Sequence, residues 1–365
     1  MAVSRINEAG LNVNQYGNRN VIINGAMQVA QRGTSSTGVG GSDGYFTCDR
    51  WNFGQATNAG RLTMTQDSSA PAGFANSLKL ACTTADTSIG ANEAALIQHK
   101  IEGQNLQRFA KGTSGAKQFT LSFYVKGNAS ATYTAELYDS DNQRANGKTF
   151  SVTTDWTRIE ITYPADTTGA FDDDNASSLD FNIWLHAGTT YTGGTFTNGT
   201  WTSTSSNPNV RVGSGTSFFD STSRTFFITG VQLEVGDTAT DFEHRTFADE
   251  LIKCQRYFQK FGSENAYDIM AGFGVAFTTT KLQAPTYLKT NMRATPAVTS
   301  SGVCAADTVN STTAITSVAV SGSVNNSKIA MIEYTVGSAA LTAYRSYYIR
   351  ADNNTSGHVS FDAEV

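Results

Sequence analysis

The 365-residue chain has 26 Lys and Arg against 31 Asp and Glu, so its net charge is −5. Because it has no basic excess and no run of Lys and Arg, we do not expect a nucleic-acid-binding face. No apolar run approaches the ~18 residues that span a bilayer, so membrane insertion is not expected either. Ser, Thr, Asn and Gly supply most of the polarity, which suits short strands and many turns. The length favours two domains.

The N-terminal stretch, residues 1–20, lacks the apolar core of a signal peptide. We therefore expect synthesis and assembly in a cytoplasm, where cysteines stay reduced. Cys48, Cys82, Cys254 and Cys304 form no C-x-x-C pair. Free or buried thiols are favoured, and a Cys48–Cys82 disulfide is the alternative.

Four stretches, residues 119–127, 131–139, 154–164 and 179–188, show the period of two that marks a half-buried strand. A last stretch, residues 225–236, is a longer and mostly apolar strand. Gly230 in the last stretch suggests a β-bulge or close packing. Short strands at this spacing, separated by turn residues, predict an antiparallel jelly roll or β-sandwich over residues 21–245.

Two helices are expected. Residues 101–112 offer Asn105 as an N-cap, Leu106 and Phe109 on one face, and Gly112 as a stop.

The second helix connects two domains, over residues 246–262. Thr246 followed by Asp249 fits a capping box. Apolar residues then recur at helical spacing and predict one buried stripe: Phe247, Leu251, Cys254 and Phe258. His244 precedes the cap and has no metal or nucleophile partner in the sequence, which favours a packing or salt-bridge role.

Strand patterns return in residues 263–365 and predict a smaller C-terminal β-sandwich, in which residues 299–326 are either strands or a surface excursion. The fold class is therefore all-β: an antiparallel jelly-roll domain, one connecting amphipathic helix and a second sandwich.

Signals for a metal or for catalysis are weak. The loop at 171–180 groups Asp172, Asp173, Asp174 and Asn175, and oxygen-rich loops bind Ca²⁺. Asp172 and Asp174 are the candidate ligands, and a solvated acidic turn is the simpler alternative. The four His lack metal-binding spacing.

Glycoside hydrolysis needs two carboxylates flanking one bond. Glu136, Glu160 and Asp180 lie on predicted strand faces, but no pair stands out. We therefore expect no enzyme activity and no catalytic residues.

Aromatic side chains on the outward parity of the strands are more informative. They are Tyr124, Tyr138, Trp184 and His186. Such side chains can stack on sugar rings, which makes these residues candidate glycan ligands. The alternative is that a second domain or a neighbouring subunit covers them.

Several segments within residues 20–260, in order, resemble a family of tailed-bacteriophage virion proteins. These are tail-fibre or receptor-binding proteins with a carbohydrate-binding-module-like jelly roll. The matching segments are 19–35, Asp49-Arg50-Trp51, 101–113, 120–126, 154–175 and 230–258.

The resemblance implies a non-enzymatic structural protein of the virion, usually a homotrimer, that recognises host-surface glycans. Residues 1–20 would be the segment that attaches to other virion proteins. Arg50 and Trp51 match a family motif and are expected to be structural, with Arg50 or Arg245 pairing a carboxylate. A purely architectural virion component and a capsule depolymerase are the alternatives.

Overall fold

The computed structural model describes residues 17–196, 198–308, 311–325 and 328–365. Residues 1–16 of the expected attachment segment lie outside this part of the chain. The chain divides into two compact units, Met1–Glu250 with Val365, and Leu251–Glu364. Among the described residues, no helix is long and apolar enough to cross a membrane.

The first unit is built from strands. In chain order they are β1 (Ser35–Val39), β2 (Gly44–Tyr45), β3 (Asn52–Ala56), β4 (Arg61–Asp67), β5 (Ser77–Thr84), β6 (Ala94–Glu102), β7 (Phe119–Gly127), β8 (Ala131–Asp139), β9 (Arg144–Val152), β10 (Thr157–Tyr163), β11 (Ser177–Ala187), β12 (Thr202–Ser203) and β13 (Thr225–Val235). One short helix, α1 (Thr189–Thr192), follows β11.

These strands form two antiparallel sheets. The six-stranded sheet has the order β1-β4-β5-β13-β7-β10, and the seven-stranded sheet has the order β12-β9-β8-β11-β6-β3-β2. Their inner faces share one hydrophobic core, in which the rings of Phe123 on β7 and Phe181 on β11 lie 6.0 Å apart. The predicted all-β class with an antiparallel sandwich is confirmed.

The alternating stretches became strands with little change. β7 and β8 match their predictions to the residue, and Leu121, Phe123 and Val125 are fully buried, as the alternation requires. The bulge expected at Gly230 is also present. The pairing of β13 with β7 shifts register there, and Gly230 has φ +62°. A Cβ at this position would lie 2.7 Å from Phe74, so both reasons for a glycine apply.

The helix expected over 101–112 is wrong. β6 continues to Glu102, and two 3₁₀ turns, Gly103–Asn105 and Gln107–Phe109, follow it. The cause is close packing, because a Cβ on Gly103 would lie 2.0 Å from the Asp172 carbonyl oxygen.

The second unit begins within helix α2 (Phe247–Gln255). Its strands are β14 (Phe258–Gly262), β15 (Ile269–Ala276), β16 (Lys281–Tyr287), β17 (Ala297–Ser301), β18 (Cys304–Thr308), β19 (Ser311–Asn325), β20 (Ile329–Val336), β21 (Ser346–Ala351) and β22 (His358–Asp362). Residues 299–326 are therefore strands over most of their described length, with Gly302 and Val303 between β17 and β18.

The strands expected as a second sandwich instead close on themselves. A barrel runs β15-β16-β20-β19-β18-β21, and β14-β22-β17 form a separate three-stranded sheet. The pairing of β15 with β21 removes the open edges that a sandwich would keep.

Helix α2 confirms the predicted cap but not the predicted stripe. The Asp249 amide donates to Thr246 Oγ1 at 3.2 Å. Phe247, however, is 57% exposed, and Phe258 is buried in β14 because the helix ends at Gln255. Leu251 is half-buried.

On α2, Cys254 of the predicted stripe is fully buried, but the charged side chain of Glu250 is buried as well. The buried Glu250 carboxylate accepts the Asn24 amide and pairs with Arg245 at 3.5 Å. Arg245 also pairs with Glu243 at 3.4 Å and donates to the Ile22 carbonyl at 3.0 Å. The expected pairing of Arg245 with a carboxylate is confirmed. Together, Arg245 and Glu250 tie residues 22–24 to the segment that follows β13.

The Arg50-Trp51 motif lies in the core of the first unit, as expected for structural residues. Both side chains are fully buried. The Trp51 indole N–H donates to the Asn24 carbonyl at 3.0 Å, and Arg50 donates to the Lys100 carbonyl.

All four cysteines are free and buried, so the alternative Cys48–Cys82 disulfide is wrong. Burial raises the pKa of the Cys48 thiol, and the neighbouring Asp49 raises it further, which keeps this thiol protonated.

Candidate functional site

The outer face of the seven-stranded sheet carries rows of polar and aromatic side chains. The register places Asn182 on β11 between Gln98 on β6 and Glu136 on β8. Asp180 lies next to Tyr138 in the adjacent row. In an antiparallel sheet, such opposed residues lie side by side on one face, so these groups form a continuous surface.

Arg211 lies on this surface and belongs to the loop between β12 and β13. Its Nε donates to Glu136 Oε1 at 2.7 Å and its Nη2 donates to Glu136 Oε2 at 2.8 Å. The guanidinium also lies 4.3 Å from the centroid of the Tyr138 ring and 5.1 Å from that of Trp184. This bidentate and stacked arrangement is specific to arginine.

Glu136 is the centre of the resulting network. It is fully buried, and it also accepts the Trp184 indole N–H at 2.8 Å and an Asn182 amide N–H at 3.0 Å. Burial alone would lower the pKa of Arg211, but the charge of Glu136 and the hydrogen bonds to it raise that pKa. Arg211 therefore stays charged, and its bidentate contact with Glu136 fixes the floor of the surface.

A groove of about 250 Å³ lies over this floor. It is lined by Asp43, Gln55, Ala56, Leu96, Gln98, Tyr138, Asp180, Asn182, Trp184, Tyr191 and Arg211, among others. Tyr138 and Tyr191 are half-buried, so part of each ring faces the groove. The lining combines ring faces with amide, hydroxyl and carboxylate groups.

Asp180 is a second titratable group of the groove whose pKa is shifted by its surroundings. Gln98 donates to its Oδ2 at 3.1 Å and Ser177 donates to its Oδ1 at 2.7 Å. Burial raises the pKa of Asp180, and the charge of Glu136 adds to that rise, whereas the Ser177 hydrogen bond opposes it.

The four aromatic residues predicted to bind glycans do not form one site. Tyr138 and Trp184 both line the groove. Trp184 is only 4% exposed, however, because the Tyr191 ring lies 5.0 Å away and Arg211 covers it as well. The expectation of an open Trp184 ring is therefore corrected, and Tyr138 and Tyr191 offer the accessible ring surface.

Tyr124 and His186 lie elsewhere. Tyr124 is on the six-stranded sheet, where it contacts Phe74 in a cluster with Phe242 and His244. This cluster gives His244 the packing role that the sequence suggested. His186 is 2% exposed at the far end of β11 and is bonded to Ser217 and Glu93 rather than open to a sugar.

Reasoning from the sequence missed Arg211, Tyr191 and Gln98. Arg211 and Tyr191 lie in a long stretch between strands that has no periodic pattern, so nothing local points to them. Gln98 lies on β6, a strand that the alternation rule did not single out.

The candidate Ca²⁺ loop is a set of exposed turns. Asp172 and Asp174 are exposed, and the Asp174 carboxylate accepts the Ala176 amide at 2.8 Å. Nearby, an oxygen-lined space is filled by the buried Lys111 ammonium, which donates to Asp139 and to the Thr168 and Gly169 carbonyls, the latter two at 2.8 Å. Ca²⁺ binding by this loop stays a prediction.

The three carboxylates considered for hydrolysis are separated by the fold. Glu160 lies on β10 of the other sheet, where it pairs with Arg158 at 2.7 Å. Asp180 lines the groove, whereas Glu136 is fully buried and accepts hydrogen bonds from Arg211, Trp184 and Asn182. A buried carboxylate held by three donor residues is poorly placed to attack a substrate or accept its proton.

Comparison with known proteins gives similar solved structures at low identity. The chain is similar to a carbohydrate-binding module, CBM4, at 15% identity and a TM-score of 0.33, over 59% of this chain and 99% of that one. It is similar to the enzymatically active domain of tailspike protein 4 of bacteriophage CBA120 at 12% identity and a TM-score of 0.30, over 60% of this chain and 22% of that one.

A family 11 carbohydrate-binding module of a Clostridium thermocellum cellulase is similar at 12% identity and a TM-score of 0.28, over 58% of this chain and 98% of that one. No protein-family model and no curated protein matches the chain. At TM-scores this low, none of these likenesses bears on what the chain binds.

Proposed function

We propose that this chain is a structural protein of a bacteriophage virion, a tail-fibre or receptor-binding adhesin, and that its groove binds host-surface glycans. The observation that carries the glycan proposal is the lining of the groove. It places the rings of Tyr138 and Tyr191 beside the polar groups of Gln55, Gln98 and Asp180. The virion role rests on the sequence resemblance over residues 20–260.

This lining matches the chemistry of a sugar. A pyranose ring has apolar C–H faces that pack on aromatic rings, and hydroxyls at its edge that exchange hydrogen bonds with amides and carboxylates. The Arg211–Glu136 network holds Tyr138 in place before any ligand arrives. A pre-ordered wall costs less conformational entropy on binding than a mobile one.

A single shallow groove of this kind would bind weakly, so the proposal includes a homotrimer. Large apolar side chains of the second unit support self-association, because Ile269, Phe273 and Tyr287 are 67%, 72% and 70% exposed. Three linked copies would raise the avidity by orders of magnitude without new contacts in any one groove. Light scattering of the purified chain tests this, and a monomer at micromolar concentration would contradict it.

A purely architectural virion component is the second candidate. It is favoured by the burial of Trp184 and His186, because little aromatic surface of the first unit is left for a ligand. In that case residues 1–20 would still dock to other virion proteins, but no glycan would bind.

A glycan array separates the two candidates. We expect the trimeric chain to retain a small set of related bacterial surface glycans, and labelling electron microscopy to place the protein at the tail tip. A blank array together with a capsid or neck position would overturn the adhesin and leave the architectural role. Release of reducing ends from host polysaccharide would instead indicate a depolymerase.

A further inference from the structure

Three side chains with metal-ligating atoms meet at one end of the sandwich, outside the groove. They are Asp86, Glu93 and His186, and one ligand atom of each lies within 4.8 Å of the others. His186 Nε2 and Glu93 Oε2 are 3.2 Å apart. Two nitrogen or oxygen ligands bound to one ion at about 2.0–2.2 Å lie at a similar separation from each other.

The fold brings these residues together from three places. Glu93 directly precedes β6, and His186 is next to the last residue of β11, where Ala187 pairs with Ala94. Asp86 lies just after β5, and its amide donates to the Phe219 carbonyl at 2.8 Å. The three ligands are therefore fixed by neighbouring backbone rather than by one flexible loop.

The charges of the cluster do not balance. Within the described parts of the chain, neither Asp86 nor Glu93 forms an ion pair with a lysine or an arginine, and His186 is the partner of Glu93. Asp86 is 7% exposed and accepts the Ala59 amide at 2.8 Å. Asp86 and His186 are buried, and Glu93 is half-buried. Two carboxylates and one imidazole in such surroundings favour the binding of a cation.

The surroundings of His186 are those of a metal-binding imidazole. Its second ring nitrogen, Nδ1, lies 2.8 Å from Ser217 Oγ. A hydrogen bond to the distal nitrogen orients the ring and leaves the lone pair of Nε2 directed at the ion. His186 and Ser217 also line a cavity of about 260 Å³, so the His186 side of the cluster borders this cavity.

We propose that Asp86, Glu93 and His186 form a binding site for a divalent transition-metal ion, with zinc as the preferred ion. One imidazole and two carboxylates are ligands that zinc accepts, and three protein ligands leave a fourth tetrahedral position for water. Calcium is disfavoured because it takes six to eight oxygen ligands. The site is independent of the glycan groove.

The full chain, dialysed first against EDTA and then against Zn²⁺, tests the proposal by elemental analysis and thermal unfolding. We expect one zinc per chain and a higher melting temperature with zinc. Glu93→Gln and Asp86→Asn should weaken zinc binding at least tenfold, whereas Asp155→Asn, which changes an exposed carboxylate, should not. Wild-type protein that retains no zinc, or both variants binding as tightly as wild type, would overturn the site.

A second measurement needs no variant, in case a substitution prevents folding. Co²⁺ added to the EDTA-treated wild-type chain should give visible absorption bands of a four-coordinate nitrogen and oxygen site, and an equimolar amount of Zn²⁺ should remove them. The pale spectrum of hexa-aquo Co²⁺, unchanged by the protein, would contradict the proposal.

Discussion

Replacing Arg211 with Met removes the cation from the centre of the groove while keeping a similar length of aliphatic chain. Two hydrogen bonds of 2.7 and 2.8 Å to Glu136 are lost. The fully buried Glu136 carboxylate then keeps only the Trp184 and Asn182 donors. Breaking one side of a buried ion pair costs about 3–5 kcal/mol, because the remaining charge stays desolvated.

The free energy of unfolding of the first unit should therefore fall by about 3 kcal/mol in Arg211→Met, the lower end of that range, since the Arg211 side chain is 16% exposed. For a unit of this size, that corresponds to roughly 6–12 °C in melting temperature. Urea unfolding followed by tryptophan fluorescence measures the first quantity, and differential scanning calorimetry measures the second.

The double variant Arg211→Met with Glu136→Met separates the ion pair from simple packing. With both charges gone, no carboxylate is left unpaired, so most of the lost stability should return. If the double variant is instead less stable than Arg211→Met, removal of the Glu136 charge does not restore stability. The unpaired carboxylate is then not the cause of the stability lost in Arg211→Met. A loss below about 1 kcal/mol in Arg211→Met alone would also refute the reasoning.

Three further predictions concern single side chains. The raised pKa of Asp180 means that the folded state holds its proton more tightly than the unfolded state. The contribution of Asp180 to the free energy of unfolding is therefore largest below the ordinary pKa of about 3.9 and is lost as the pH rises through the folded-state pKa. Asp180→Asn should therefore gain stability relative to wild type as the pH rises from ~4 to 7, and a constant difference across that range would contradict this. Lys111→Met should cost about 3–5 kcal/mol in urea unfolding, because Asp139 loses its ammonium partner in the interior, and a neutral result would show that the carboxylate is solvated. His244→Ala removes an exposed ring from an aromatic cluster and should change the melting temperature by less than about 3 °C; a loss of glycan binding instead would give His244 a role that its position does not suggest.

The strands of the first unit were predictable because their signal is local. β7 and β8 carry buried apolar residues at every second position, as the sequence pattern requires, and both strands end at turn residues. The 101–112 segment failed for a non-local reason. Helical spacing of Leu106 and Phe109 is real, and both are fully buried, but contact of Gly103 with the Asp172 backbone holds the chain in separate turns.

The candidate site was predictable only in part. The outward parity of Tyr138 and Trp184 was correct, since alternation along each strand decides it. Which sheet a strand joins depends on pairing between distant segments, so Tyr124 was grouped with residues of the opposite sheet. Arg211 lies 75 residues from Glu136 along the chain, and no pattern in either segment predicts their ion pair.

Filling the groove with a bulky side chain tests most directly the claim that the groove binds glycans. Ala56 on β3 is half-buried and lines the groove, so Ala56→Trp would fill it while both residues of the Arg211–Glu136 pair are kept. Thr65→Trp is the matched control, because Thr65 is a half-buried residue on β4 of the opposite sheet. Both variants should keep the wild-type mass in light scattering and the wild-type far-ultraviolet circular dichroism.

The measurement is isothermal titration calorimetry of the three proteins with an oligosaccharide that the array identifies. The account predicts that wild type and Thr65→Trp bind it with the same affinity and that Ala56→Trp binds at least tenfold more weakly. Equal binding by all three proteins would place the glycan site outside the groove and contradict the account.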